Sequence, residues 1–375
     1  MLQLDSFKSD ITIESPGRIN LIGEHIDYNG GHVLPAAINK KIKLSLRKNN
    51  SNSCEILSAN YDKSFRIQLD RLQNSEEEWQ NYVIGVLHYI NELKPNELKG
   101  FDCIIESDLP SGSGISSSAA LECGIAKGVC ELFKIKLTDF EIITLAQKAE
   151  HNFVGTKCGI MDQFAVVKGK DNHLILLNCD TIDYKMIEAN FYPYKIVLLN
   201  TNVSHNLASS EYNVRREECN VALQTIQKKH PDYKNLSSIP INIVKSYSDV
   251  LPTNIYNRAY FVCEENQRTI NAVKCLEDNN LLDFGRLMYK SHKGLQNLYK
   301  VSCPELDYLV ESTQNLGYVL GSRMMGGGFG GCTINIVHED NVEDFVSEMS
   351  KLYFEKFNIK LTSIITTISD GTKKV

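Results

Sequence analysis

The sequence predicts an α+β protein built from two domains, and three observations carry that prediction. Strand-like and helix-like segments both occur, without the regular alternation of a doubly wound sheet. The chain has 375 residues, more than one ordinary domain. Apolar residues make up 42% and charged residues 23%, the usage of a globular chain with enough core to fold without disulfides or a structural metal.

Residues 11–46 read as strands interrupted by Gly and Asn turns. Phe101-Asp102-Cys103-Ile104-Ile105 reads as a buried strand. The loop Pro110-Ser111-Gly112-Ser113-Gly114 follows, and an Ala-, Leu- and Cys-rich helix is expected over 116–133. Thr138 and Glu141 have capping-box spacing. Ile142, Ile143, Leu145, Ala146, Ala149 and Phe153 then keep helical spacing, with Gly155 as C-cap. Residues 174–177 and 196–199 read as strands, and 208–228 as a long amphipathic helix. Residues 318–320 and 332–337 look like two strands joined by a glycine-rich turn. A helix over 340–357 and a strand over 360–369 follow. A division near residue 180 is expected, into units over 1–180 and 181–375, although no Pro/Ser linker marks it.

Charge narrows the function. The net charge is −6 with both signs interspersed, and the pI is about 5.9. A broad basic face for nucleic acid is not expected, while a local cationic cleft for phosphates remains compatible. No apolar run approaches the roughly 20 residues of a membrane span. Met1-Leu2-Gln3-Leu4-Asp5 lacks the basic stretch and apolar run of a secretory signal. The 11 cysteines form no C-x-x-C pair, and most sit in apolar stretches. They read as reduced, buried thiols of a cytoplasmic protein. The nine histidines have no zinc-like spacing.

Three glycine-bearing segments concentrate the chemistry. The first, Ser15 through Gly31, packs Arg18, Glu24, His25 and Asp27 into ten residues. Carboxylates and an imidazole suit directed hydrogen bonds to sugar hydroxyls. A turn with a solvated charge cluster would read the same way. The second, Leu109 through Ala120, follows a strand and opens a helix. Its glycines let backbone amides approach an anion, and the helix start adds free N–H donors. Neither the P-loop spacing nor the dinucleotide fingerprint is present, and a plain serine N-cap after a turn is the alternative. The third, Gly321 through Gly331, has five glycines in its last six positions. A tight hairpin needs one or two, so the excess implies close backbone approach or a movable flap.

Two carboxylates stand out beyond these segments. Asp162 lies among apolar residues in Cys158-Gly159-Ile160-Met161-Asp162-Gln163-Phe164 and needs a partner, Arg18 being one. Alternatively it caps local backbone. Glu150 sits at the edge of the apolar face of its helix. There it either meets a cation such as Mg²⁺ or snorkels to solvent. Together these features suit a phosphoryl-transfer enzyme outside the P-loop class, without naming its acceptor.

In order along the chain, the segments resemble the galactokinase branch of the GHMP small-molecule kinases. The resemblance rests on Pro16 through Gly31, Leu109 through Ala120 and Gly321 through Gly331. It also rests on Trp79-Gln80-Asn81-Tyr82, on Cys158 through Gln163, and on Ala208 through Arg216. It covers about residues 11–337. The resemblance implies a two-domain α+β fold with the active site in the cleft between the domains. It implies transfer of the ATP γ-phosphoryl group to the C1 hydroxyl of galactose. By motif position, Asp162 is the base and Arg18 holds it ionised and stabilises the moving phosphoryl charge. Glu24, His25, Asp27, Gly159, Asp162 and Tyr212 match sugar-binding positions. Trp79 and Tyr82 match aromatics beside adenine. Gly112, Gly114, Ser116 and Ser117 match a phosphate cradle, with Ser118 and Glu150 as Mg²⁺ ligands. The implied partners are the sugar and ATP, with the chain a monomer.

Three residues depart from the family pattern. Met325 replaces a small hydroxyl residue, His32 an aromatic and Asn39 a frequent acid. The first two make sugar preference the least certain inheritance. An N-acetylgalactosamine kinase would share nearly every motif. A catalytically silent galactose sensor would share the pocket, but the intact Ser116 to Ala120 run, Asp162 and Arg18 argue against it.

Overall fold

The computed structural model of the chain describes residue 2 and residues 4–110, 112–204 and 208–375. Ser111 of the glycine–serine loop lies outside the described residues. The first half holds β1 (Ile11–Asn20), β2 (His32–Val33), β3 (Pro35–Lys48), β4 (Ser53–Ser58), β5 (Lys63–Gln68), α1 (Glu78–Leu93), β6 (Phe101–Ser107), α2 (Ser117–Phe133), α3 (Asp139–Ala149), α4 (Met161–Lys168) and β7 (His173–Asn178). The second holds β8 (Tyr184–Glu188), β9 (Tyr194–Ser204), α5 (Ala208–Gln227), α6 (Ile241–Lys245), α7 (Thr253–Glu277), α8 (Leu281–Gly294), α9 (Pro304–Thr313), β10 (Val319–Met324), β11 (Gly330–His338), α10 (Val342–Phe357), β12 (Thr362–Thr366) and β13 (Lys373–Lys374).

The strands form a six-stranded sheet in the order β13-β1-β3-β6-β4-β5, a four-stranded sheet β10-β11-β9-β12 and a three-stranded sheet β2-β7-β8. All neighbours run antiparallel except β4 and β6. Helix α2 lies on the larger sheet. Its Ala126 and Val129 pack with Ile13 of β1 and Leu44 of β3, and none of these four side chains is exposed. Burying each of the larger ones contributes about 1.5–3 kcal/mol. The same apolar cluster continues into Leu198 of β9 and Ile334 of β11, so residues on both sides of position 180 share one core.

The expected elements are present with small boundary changes. The capping box closes as its spacing predicts: Thr138 accepts from the Glu141 amide, and the Glu141 side chain accepts from the Thr138 amide. Gly155 follows at φ 91°. The glycine-rich turn does join an antiparallel pair, β10 and β11. Two π-helical turns break the regular pattern, at Glu150–Val154 and Leu295–Tyr299. Such turns recur at functional sites.

Candidate active site

Arg18 stands near the end of β1, where the β1–β3 register shifts between Pro16 and Arg18. The shift re-aims its side chain, as a bulge does. Arg18 Nε donates to Asp162 Oδ1 and Nη2 to Oδ2, both at 2.7 Å. This two-pronged pair is the strong geometry for guanidinium and carboxylate. Arg18 Nη1 also donates to the Gly114 carbonyl at 2.6 Å. Burial opposes the Arg18 charge, but Asp162 and Glu24 outweigh it and raise the pKa. Asp162 occupies the first turn of α4, where a helix start favours an anion. Its side chain is 24% exposed, so it is less buried than its apolar sequence neighbours imply.

The sugar signature wraps around this pair. Glu24 is buried, and its Oε1 accepts from the Gly326 amide at 2.8 Å and lies 3.1 Å from Nη2 of Arg323. Asp27 is buried against Gly159, and the contact requires glycine: a Cβ at 159 would lie 1.9 Å from Asp27 Oδ2. Burial, reinforced by the Asp162 charge, pushes the Asp27 pKa up to about 7. Arg216 of α5 donates to the Cys158 carbonyl at 3.3 Å, just ahead of Gly159.

His25 is held at both ring nitrogens by neighbouring groups. Burial pushes its pKa down to about 3, so the ring is neutral. Its Nε2 lies 3.1 Å from the Gly327 carbonyl, which can only accept, so Nε2 carries the proton. Nδ1 must then accept from the Tyr28 hydroxyl at 2.8 Å. Tyr28 in turn accepts from Tyr299 at 2.8 Å, and Tyr299 from the Cys219 thiol at 3.1 Å. The chain of donors therefore runs one way, from Cys219 to the glycine-rich turn. The ring packs against Tyr212 at 5.2 Å.

The glycine excess of the third segment is explained by close approach. Gly328 (φ 82°) passes so near residue 301 that a Cβ would lie 2.1 Å from its carbonyl oxygen. Gly326 packs on the Gly114 carbonyl of the glycine–serine loop. Met325 is buried in the core and His32 bonds to Asn266.

A cavity of about 480 Å³ opens on the other side of the α2 start. Trp79, Tyr82, Gly112, Ser117 and Ser118 line it together, the size and mix of a small-ligand pocket. Phe65 of β5 meets Trp79 edge-on at 4.8 Å and fixes its ring. Gly114 and Ser116 do not line this cavity. Gly114 turns its carbonyl to Arg18, and the Ser116 hydroxyl donates to Asp162.

Glu150 is buried rather than snorkelling to solvent, and the π turn carries it. Its observed partner is an amide: Gln163 Nε2 donates to it at 2.8 Å and to Glu122 at 3.4 Å. Burial and the Asp162 charge push its pKa up to about 7. Glu122 is fully buried, and its Oε1 has no hydrogen-bond partner. Ser118 and Glu122 are four residues apart on one face of α2. The unpartnered Glu122 oxygen, one helical turn from Ser118, and the buried Glu150 carboxyl fit a hard divalent cation that would take its remaining ligands from phosphate and water. Among the described residues no three acidic, imidazole or thiol side chains converge to hold a metal by themselves.

Sequence reasoning missed Gln163, Glu122, Arg323 and Glu265. The Glu265 carboxylate is fully buried and accepts from the Gly23 amide at 3.0 Å, anchoring the turn before Glu24 from α7. A charged residue in a helix with no glycine motif nearby carries no local signal for that role.

A glycine–serine loop at a helix start, a glycine-rich strand pair against it and a carboxylate–arginine pair between them define a GHMP kinase. Residues 81–170 match the GHMP kinase N-terminal domain, and residues 272–355 the GHMP kinase C-terminal domain. Residues 5–48 match the galactokinase galactose-binding signature, and the chain belongs to the galactokinase family. It is 40% identical to the galactokinase of Clostridium acetobutylicum over 96% of this chain and 94% of that one. It is 37% identical to that of Bacillus subtilis over 96% and 93%. The crystal structure of Lactococcus lactis galactokinase complexed with galactose superposes with a TM-score of 0.94, at 34% identity, covering 97% of this chain and 95% of that one. Methanococcus jannaschii mevalonate kinase, at 20% identity and a TM-score of 0.68, shares the fold. The expected fold class and family are thus borne out, and the chain is a kinase that uses ATP.

Proposed function

We propose that this chain transfers the γ-phosphoryl group of ATP to the anomeric C1 hydroxyl of D-galactose, giving galactose 1-phosphate and ADP, the first committed step of galactose catabolism. The observation that carries this reading is the Asp162–Arg18 pair, placed between the sugar signature and the aromatic-walled cavity. Asp162 takes the C1 hydroxyl proton. As a carboxylate it is a weak base, so the proton moves late, when the phosphoryl group has loosened from ADP. Arg18 offsets charge on that group and holds the base in register. Glu24, Asp27 and Tyr212 surround the sugar, Gly159 backs Asp27, and the His25 ring forms part of the wall. Trp79 and Tyr82 flank adenine, and Gly112, Gly114, Ser116 and Ser117 lie along the phosphates. Ser118 and Glu150 would hold Mg²⁺, whose charge neutralises the β- and γ-phosphates when bound.

The division near residue 180 then separates labour, with the sugar signature and phosphate loop before it and the glycine-rich turn after it. Eleven free cysteines support a reducing, cytoplasmic setting, and among the described residues no helix is long and apolar enough to cross a membrane.

The test is ADP release with ATP and Mg²⁺, comparing galactose, N-acetylgalactosamine, galactosamine, glucose, mannose and arabinose. Galactose should dominate. Preference for the N-acetyl sugar would move the substrate while keeping the chemistry. Saturable galactose binding without ADP release from any sugar would overturn the kinase reading in favour of a sensor.

A further inference from the structure

Ser116 occupies the N-cap position of α2 with φ 57° and ψ 54°. A left-handed backbone is unfavourable for a residue with a Cβ. An N-cap serine ordinarily accepts from a helix amide, and Ser116 makes no such bond. Its hydroxyl instead donates to Asp162 Oδ2. Arg18 holds the strained turn from outside. Its backbone amide donates to the Ile115 carbonyl at 3.0 Å, and its Nη1 to the Gly114 carbonyl. The same arginine thus fixes both the turn and the carboxylate that Ser116 reaches.

A serine hydroxyl has one proton to donate. Asp162 already accepts from Arg18 at both oxygens, and Ser116 takes a further site on Oδ2. A sugar hydroxyl about to lose its proton must donate to the same carboxylate. Oδ2 then holds two donors and Oδ1 one, so a sugar hydroxyl that approaches Oδ2 competes with Ser116. Ser117, the next residue, lines the nucleotide-side cavity. A phosphate arriving there offers Ser116 a second anionic acceptor.

We propose that Ser116 is a positioning residue that donates to Asp162 in the free enzyme and to a phosphate oxygen once nucleotide is bound, releasing Asp162 Oδ2 for the sugar hydroxyl. The proposal rests on Asp162 being the base. It makes nucleotide and sugar binding mutually reinforcing, because each favours the same state of one hydroxyl.

The experiment is calorimetric titration of galactose into the full chain, with and without adenylyl imidodiphosphate and Mg²⁺, for wild type, Ser116→Ala and Ser116→Gly. The glycine variant removes the hydroxyl while suiting the left-handed backbone, so loss of coupling in it is not a folding defect. Wild type should bind galactose about tenfold more tightly with nucleotide present. In both variants the ratio should fall to near one, because galactose binds the nucleotide-free protein more tightly than it binds nucleotide-free wild type. Equal affinities in the two states of wild type, or an unchanged ratio in both variants, would overturn the proposal alone. No galactose binding by any of the three proteins would overturn the galactose reading and the proposal with it.

Discussion

Replacing Gly159 with alanine should damage sugar binding through a residue more than a hundred positions away. The added methyl would lie 1.9 Å from Asp27 Oδ2 and 2.1 Å from its Cγ, where ordinary contact begins at 3.4 Å. The carboxylate must withdraw by the difference, about 1.5 Å, more than a hydrogen bond tolerates. Asp27 is about nine-tenths buried and cannot relax freely into solvent. Losing a charge-assisted bond to a sugar hydroxyl costs about 1.5–3 kcal/mol, which weakens galactose binding roughly 10- to 150-fold. Asp162 and Arg18 stay in place, so KM should rise far more than kcat falls. Calorimetry and steady-state kinetics on Gly159→Ala, Asp27→Ala and the double variant measure this. Gly317→Ala is the control, because a Cβ there meets nothing within 4 Å. If the effect runs through Asp27, the double variant should bind no worse than Asp27→Ala. Additive losses, or wild-type affinity in Gly159→Ala, would refute the reasoning.

Asp162→Asn should lower kcat by about 10²–10⁴ while leaving galactose affinity nearly unchanged, and near wild-type turnover would remove Asp162 from the chemistry. Glu150→Gln should raise the Mg²⁺ concentration needed for tight nucleotide binding by about tenfold or more, read from Mg²⁺ titrations of nucleotide affinity. An unchanged midpoint would leave Glu150 only structural. Asp27 has a folded pKa of about 7 against an ordinary 3.8, so between these values the folded state binds more protons than the unfolded one. Its contribution to stability is present below pH 4 and is lost as pH rises to 7, at most about 4 kcal/mol. Asp27→Asn keeps that contribution. Urea midpoints at pH 5 and pH 8 should therefore show the variant gaining on wild type at the higher pH.

Local chemistry was legible in the sequence wherever neighbours in the chain act together. Thr138 and Glu141 define their helix start within four residues, and Arg18, Glu24 and Asp27 arrive on one short segment. The pairing of Arg18 with Asp162 was foreseen because an inward carboxylate needs a cation. Side-chain direction was less legible. A left-handed backbone, which no local pattern announces, turns the Ser116 hydroxyl toward Asp162. The Gly327 carbonyl that meets the His25 ring comes from 302 residues away. Glu265 and Arg323 reach the signature from 242 and more residues away, a separation that no periodicity encodes. The π turns at 150–154 and 295–299 are also silent, because each continues an ordinary helical pattern while shifting it by a residue.

The anchoring of Gly23 by Glu265 and of Glu24 by Arg323 should make sugar competence a late event in folding. The six-stranded sheet can pair most of its strands from nearby sequence. The signature cannot take its final shape until α7 and β10 have docked, and closing loops that long is slow. Galactose affinity therefore serves as a clock for the last step of assembly. A refolding chain should regain helix signal first, and the ability to hold sugar only when its two ends meet.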